Sequence, residues 1–177
     1  VNLIIAYSLQ TLYLSDKTLV PTVKNCFCGN DFTFEQCCQP IISDKIDPQN
    51  SEQLMRSRFT AYVIEDYQYI IQTYASAQRS KLTVNGIAYS AQDTQWLSLQ
   101  VLAHHSQENT AQVEFKAFYQ VDKHYYVMHE LSDFVREDDK WYYTTGVMQK
   151  GSGEFSPERN SQCLCGSGKK FKKCCGK

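Results

Sequence analysis

Residues 95–147 read QWLSLQVLAHHSQENTAQVEFKAFYQVDKHYYVMHELSDFVREDDKWYYTTGV, and the period of this stretch decides the fold. Apolar and polar residues alternate with a period of two, the pattern of strands that turn one face to a core. Strands are expected over residues 96–104, 110–121, 125–135 and 141–147, separated by turn-forming residues at 107–109, 122–123 and 137–140. Connections this short join antiparallel neighbours, so the strands form a meander. On the third strand Glu130, Ser132 and Phe134 share one face, and Val127, His129, Leu131 and Asp133 share the other. If Phe134 turns to the core, Glu130 and Ser132 turn inward with it. Trp96, Trp141, Tyr142 and Tyr143 read as sheet packing rather than as a base-stacking platform. The four histidines read as surface or structural residues: His104 and His105 point to opposite faces of a strand end, His124 adjoins a turn, and His129 faces away from Glu130.

Upstream the period changes to that of helices. Ser51 is expected to cap a helix over residues 52–65, in which Met55, Phe59, Tyr62 and Val63 recur at spacings of three and four. Arg56 and Glu65 fall elsewhere on its surface. Asp66 is expected to cap a second helix carrying Tyr67, Ile70, Ile71 and Tyr74, and a short third helix is expected at residues 90–93. Helices followed by a curled antiparallel sheet make an α+β fold, with the helices on one face of the sheet.

Outside this domain lie all eight cysteines, in two clusters with none between residues 39 and 162. CFCGNDFTFEQCC (26–38) and CLCGSGKKFKKCC (163–175) share the spacing C-x-C-x8-C-C. Two thiolates one residue apart, then a turn, then a second pair supply two edges of a tetrahedral metal site. The expected ligands are Cys26, Cys28, Cys37 and Cys38 in the first module, and Cys163, Cys165, Cys174 and Cys175 in the second. Four soft thiolates favour zinc, two ions in all, over an iron–sulfur centre. Four protein ligands leave no position for a catalytic water. A disulfide framework fits less well, because adjacent cysteines are awkward partners for one another. At 177 residues the chain is long enough to bury a core without staples.

The organisation expected is an N-terminal extension at 1–24, a zinc module at 25–40, the central domain at 51–149, a linker at 150–162 and a second zinc module at 163–177. Residues 1–14 lack a basic start and a small-residue cleavage site, and they are too short and polar to span a membrane. A reducing, cytoplasmic setting without membrane insertion is the matching expectation. The formal net charge of −1 argues against a general nucleic-acid binder, the basic tail being a local exception.

The second cluster resembles the SEC-C motif, the zinc-binding tail of the bacterial preprotein translocase ATPase SecA. LMRSRFTAYV (54–63), TQWLSL (94–99) and HELSDFVREDDKWYYTTG (129–146) resemble segments of the YchJ-like family. The resemblance covers residues 26–177. It implies a SEC-C module at each end and a central domain like nuclear transport factor 2, a cystatin-like cone of sheet and helices around a cavity. Three positions depart from the family pattern: Asn30-Asp31 in the first module, Tyr74-Ala75-Ser76 in place of Trp-His-Pro, and Asp133 in place of a basic residue.

Two function classes follow. Lys169, Lys170, Lys172 and Lys173, with Lys177, form a cationic surface suited to an acidic partner. The resemblance implies a docking role, with a SecB-like chaperone or the ribosome as candidates and RNA as a less favoured one. The alternative role for these lysines is to offset a dianionic four-thiolate zinc site. The first module keeps its thiols with Asp31 and Glu35 in place of lysines, so either compensation is dispensable, which favours docking, or the first site holds zinc less well. An adaptor protein is the expected function. The rival is an enzyme of hydrolase, isomerase or dehydratase type, with Glu130 as acid or base beside Tyr62 and Arg58. Against it, Glu130 and Arg58 read first as a buried ion pair that ties helix to sheet. No catalytic residue is assigned beyond those three candidates.

Overall fold

The computed structural model describes residues 25–177; the extension expected at 1–24 lies outside the described residues. Among the described residues five α-helices precede the sheet: α1 (Gln39–Ile42), α2 (Ser51–Val63), α3 (Tyr67–Gln72), α4 (Ser76–Arg79) and α5 (Val84–Ala91). The strands are β1 (Gln95–Ser106), β2 (Thr110–Val121), β3 (His124–Glu137), β4 (Lys140–Met148) and β5 (Gly153–Phe155), and a 3-10 turn spans Phe171–Lys173. The fold is α+β, as expected, with β1-β2-β3-β4 paired antiparallel in sequence order.

The hairpins follow from local chemistry. Asp122 and Lys123 have φ of 48° and 69°, and Asp138 and Asp139 have φ of 48° and 65°. Two consecutive left-handed residues match the right-handed twist of the strands that they join. Register shifts in β1 at Trp96/Ser98 and Val101/Ala103, and between β3 and β4 at Asp133/Phe134, add twist and curl the sheet.

Three expectations need correction. Asn50, not Ser51, caps α2: its side chain accepts from the Gln53 amide. Ser51 is buried and its hydroxyl meets His104 Nε2 at 2.8 Å, tying the helix start to β1. Asn50→Ala is expected to cost about 1 kcal/mol, measurable as a shift of the urea midpoint. The third helix is α5 at Val84–Ala91, begun by Thr83 accepting from Gly86, and the short α4 precedes it. Residues 150–162 are not a plain linker, because β5 returns to pair with Tyr125–Val127 of β3. β4 covers β3 only from Glu130 onward, so β5 satisfies backbone groups that β4 leaves unpaired. The second cap expectation holds: the Asp66 side chain accepts from the Tyr69 amide at the start of α3.

α2 is the hub. Leu54, Met55 and Phe59 pack towards Leu99, Val113, Phe115, Phe134 and Trp141 of the sheet, while Ala61 joins Ile41, Tyr69, Ile70 and Ile87 from the other helices. Ser57, Arg58 and Thr60 are also buried, so the helix is enclosed on nearly every side. Its polar groups are used locally: Ser57 Oγ donates to the Leu54 carbonyl and meets the Tyr69 hydroxyl at 2.6 Å.

Candidate metal centres and central cavity

Each cysteine cluster folds the same way. In the first, the Cys26 amide donates to the Phe32 carbonyl, the Gly29 amide to Cys26, the Cys37 amide to Phe34 and the Gln39 amide to Phe34. In the second, the Cys163 amide donates to Lys169, Gly166 to Cys163, Cys174 to Phe171 and Gly176 to Phe171. Every bond has its counterpart at the same offset, and each module closes with one antiparallel bridge, Asn25 to Thr33 and Gln162 to Lys170. Gly29 and Gly166 hold the turns with φ of 80° and 71°, a region where a side chain is disfavoured. The Asn30-Asp31 departure therefore leaves the loop architecture intact.

The loops bring four sulfurs together in each module, all within 4.8 Å of one another. Cys28 Sγ lies 3.7 Å from Cys37 Sγ, and Cys37 Sγ lies 3.9 Å from Cys38 Sγ. In the second module Cys165 Sγ lies 3.4 Å from Cys163 and 3.5 Å from Cys174, and Cys174 lies 4.0 Å from Cys175. A tetrahedron with metal–sulfur bonds of about 2.3 Å has edges of about 3.8 Å. A disulfide needs about 2.05 Å, and all eight cysteines are free. Each tetrad can hold a tetrahedral ion.

Crowded thiols cannot all ionise without such an ion. Hydrogen bonds from Cys28 and Cys38 hold Cys26 far below its ordinary value, while its own sulfur pushes Cys28 and Cys38 up. Burial, then the charge on Cys28, lifts Cys37 to about 12. Burial opposes ionisation of Cys165, but hydrogen bonds from Ser167 and Cys163 overcome it and bring this thiol down to about 6. Cys175 is pushed up by burial and its neighbours.

The two sites sit differently in the molecule. Cys26, Cys28 and Cys38 belong to the main core beside Leu54, Met55 and Phe59. Cys26 Sγ lies 4.0 Å from the buried Thr60 hydroxyl, and Arg56 of α2 donates to the Cys28 carbonyl at 2.9 Å. A side chain at Gly29 would crowd the Leu99 carbonyl of β1. The second tetrad is more open, with Cys175 exposed. It rests on the sheet through Phe171, whose ring meets Tyr125 edge-on at 5.4 Å, and through the Tyr125 hydroxyl, which donates to the Cys175 carbonyl. Lys169, Lys170 and Lys173 are exposed and Lys172 is half-buried. Among the described residues none of the four forms an ion pair.

Between α2 and the concave face of the sheet lies a cavity of about 250 Å³, lined by Arg58, Phe59, Tyr62, Tyr74, Trp96, Phe115, Met128, Glu130, Ser132 and Tyr143, among others. It unites the three expected candidates, Glu130, Tyr62 and Arg58. The expected Glu130–Arg58 ion pair is absent among the described residues. Tyr143 stands between them: its ring covers the Arg58 guanidinium at 4.5 Å, and its hydroxyl donates to Glu130 at 3.2 Å. Tyr74 covers the guanidinium at 4.5 Å as well, and Ser132 donates to the same Glu130 oxygen as Tyr143. Burial lifts the Tyr62 hydroxyl to about 12 and pushes that of Tyr143 higher still, so both remain neutral donors.

The sequence reads Trp96 and Tyr143 as sheet packing and Tyr74 as part of the second helix; α3 ends at Gln72, and all three residues line the cavity. One signal was present in Gly146, a glycine inside a strand pattern. A Cβ there would overlap the Glu130 carboxyl, so the glycine makes room for it. The histidines are structural or peripheral where the structure pairs them: His104 on Ser51, His129 Nε2 on Glu114 at 2.7 Å and His124 on Glu154 at 2.7 Å.

Residues 50–146 match the family described as YchJ, middle NTF2-like domain, and residues 159–177 match the SEC-C motif. A UPF0225 protein of Vibrio parahaemolyticus is 38% identical over 165 residues, 86% of this chain and 98% of the relative. One from Haemophilus influenzae is 35% identical over 164 residues, 92% and 98% of the two chains. Among solved structures, a SEC-C motif containing protein from Rhodopseudomonas palustris superposes with a TM-score of 0.68 at 29% identity, covering 70% of this chain and 98% of that one. Another from Psychrobacter arcticus gives 0.62 at 31% identity, covering 87% and 96%. No helix among the described residues is long and apolar enough to cross a membrane.

Proposed function

The chain belongs to the YchJ-like UPF0225 family, and we propose that it is a cytoplasmic zinc-binding adaptor that docks an acidic protein through its C-terminal SEC-C module. Zinc is the ion favoured in both tetrads, because four thiolates at tetrahedral spacing suit a soft, redox-neutral cation. The observation that carries the docking role is the contrast between the two modules. They share one backbone architecture, but only the second presents exposed, unpaired lysines. If lysines served merely to offset a zinc–thiolate dianion, the first module would need them as well. It has instead Arg56, which is already paired with Glu52 at 2.8 Å.

The test is binding of the zinc-loaded chain to a purified acidic export chaperone of the SecB type. Replacing Lys169, Lys170, Lys172 and Lys173 together with Gln is expected to weaken capture by at least about tenfold, roughly 1.4 kcal/mol, with zinc content unchanged. Capture that survives the fourfold change would rule the docking surface out. Binding instead to ribosomes, with affinity falling steeply as salt rises, would move the partner to nucleic acid.

A further inference from the structure

The central cavity contains hydrogen-bond donors for which the described residues supply no acceptor. Arg58 is only 4% exposed, yet it has no carboxylate partner among the described residues. Its Nη1 donates to the Ile70 carbonyl and to Thr73 Oγ1, at 2.9 and 2.6 Å. The Tyr74 and Tyr143 rings lie on adjacent sides of the guanidinium, each centroid 4.5 Å from it and the two 5.1 Å from one another, nearly perpendicular. The edge formed by Nε and Nη2 has no acceptor among the described residues, and it is a fork of parallel N–H groups that matches a carboxylate. A second donor is the indole Nε1 of Trp96, buried without a partner. Burying an unpaired cation is unfavourable, and cation–π contact offsets only part of that cost. A helix clamp alone would account for Nη1 but not for the remaining edge.

The rest of the cavity describes what would arrive with the anion. Phe59, Phe115 and Met128 give the cavity apolar walls, two of them aromatic. Glu130 uses one oxygen, Oε1, to accept from both Ser132 and Tyr143, and its other oxygen has no donor among the described residues. That oxygen is an acceptor for a hydroxyl or amine at the ligand's far end. At about 250 Å³ the cavity is smaller than drug-sized sites of roughly 300–1,000 Å³. Ser90, at the end of α5, is the exposed residue of its lining, with the half-buried Ala91 and Thr94 also lining it, which puts the opening on this side.

We propose that the central cavity is a binding site for a small carboxylate with a flat apolar body and a hydrogen-bond donor at its far end, anchored by Arg58 and read by Glu130. The site lies apart from the second module and its lysines, none of which lines the cavity, so the fourfold lysine variant retains it.

The experiment uses the full zinc-loaded chain and follows the Trp96 indole N–H resonance by NMR, assigned with Trp141→Phe. The probes are 4-hydroxybenzoate, phenylacetate and 2-aminobenzoate, with 4-hydroxybenzyl alcohol as the neutral analogue. 4-Hydroxybenzoate is expected to shift the Trp96 signal saturably, and the alcohol to bind at least about tenfold more weakly. Arg58→Lys keeps the charge but loses the fork, and is expected to weaken the acid by at least about tenfold. Arg58 also holds the Ile70 carbonyl, so a second variant is needed. Ala91→Phe narrows the mouth without touching Arg58, and is expected to abolish binding while its thermal melt stays cooperative. Equal affinity for acid and alcohol would overturn the proposal. So would unchanged binding in folded Ala91→Phe, or silence of Trp96 with all three carboxylates up to about 5 mM.

Discussion

Cys38→Ser is expected to unfold the central domain, whereas Cys175→Ser leaves it folded. Cys38 is 1% exposed and sits in the same cluster as Leu54, Phe59 and Trp141, at the point where the first module meets α2 and β1. Losing one of four ligands would release a bound ion and leave Cys28 and Cys37 in an apolar setting, where the Cys26 sulfur opposes ionisation of the first and burial that of the second. Loss of a metal site ranks among the mutations that cost about 4 kcal/mol or more. For a chain of this size that is a fall in Tm of more than roughly 10 °C. Trp141 is 8% exposed in the same cluster, so its fluorescence reports the transition. Cys175 is exposed, and its module touches the sheet mainly through Phe171 on Tyr125 and the Tyr125 hydroxyl. Equal destabilisation by the two serine variants would contradict the embedded position of the first tetrad.

Acid and chelators are expected to remove metal in two phases. Protons compete with the ion for thiolates, so affinity falls as pH falls. In the ion-free second module Cys165 has its pKa lowered to about 6, first against burial and then through Ser167 and Cys163. Its thiolate form is therefore favoured above that pH. A folded pKa below the unfolded value contributes stability that is complete above the unfolded value, near 9, and is lost as pH falls through about 6. Release from the open second site should come first as the pH falls, because Cys175 is exposed and its sulfur is open to protons. The first site, with Cys28 0% exposed, is screened from water and chelator and should release its metal only as the domain opens. A zinc dye read alongside Trp141 fluorescence checks this. The first equivalent should appear with the fold intact, and the second together with the loss of tertiary signal. A single phase coincident with unfolding would show that the two sites are equally protected.

Much of this structure was legible because its causes are local. Strand period and paired turn residues such as Asp122-Lys123 and Asp138-Asp139 specify hairpins without reference to distant residues. The cysteine spacing works in the same way, since every ligand of a tetrad lies within thirteen residues of the others. Where expectations failed, a distant partner had decided the outcome. Ser51 is an acceptable cap by type, but His104 of β1 engages its hydroxyl, and Asn50 takes the capping role. Residues 153–155 form a strand only because β3 outruns β4 and offers them unpaired backbone. α5 begins at Val84, before the expected 90–93, because Gly86 weakens the helical pattern in the sequence while Thr83 and burial of Ile87 restore it in the folded chain.

The Arg58–Glu130 relation is the clearest case. Residue type and facing positions suggested an ion pair, and both side chains do reach the same cavity. Whether opposite charges touch depends on what lies between them, here the Tyr143 ring and hydroxyl delivered by β4. By itself the sequence determined the α+β order, the meander and the two four-cysteine loops, because periodicity and ligand spacing act over a few residues. Only the tertiary structure decided that the first loop joins the core while the second stands open, and that Arg58 keeps a free edge towards a cavity, because burial and partner choice depend on packing between segments far apart in the chain.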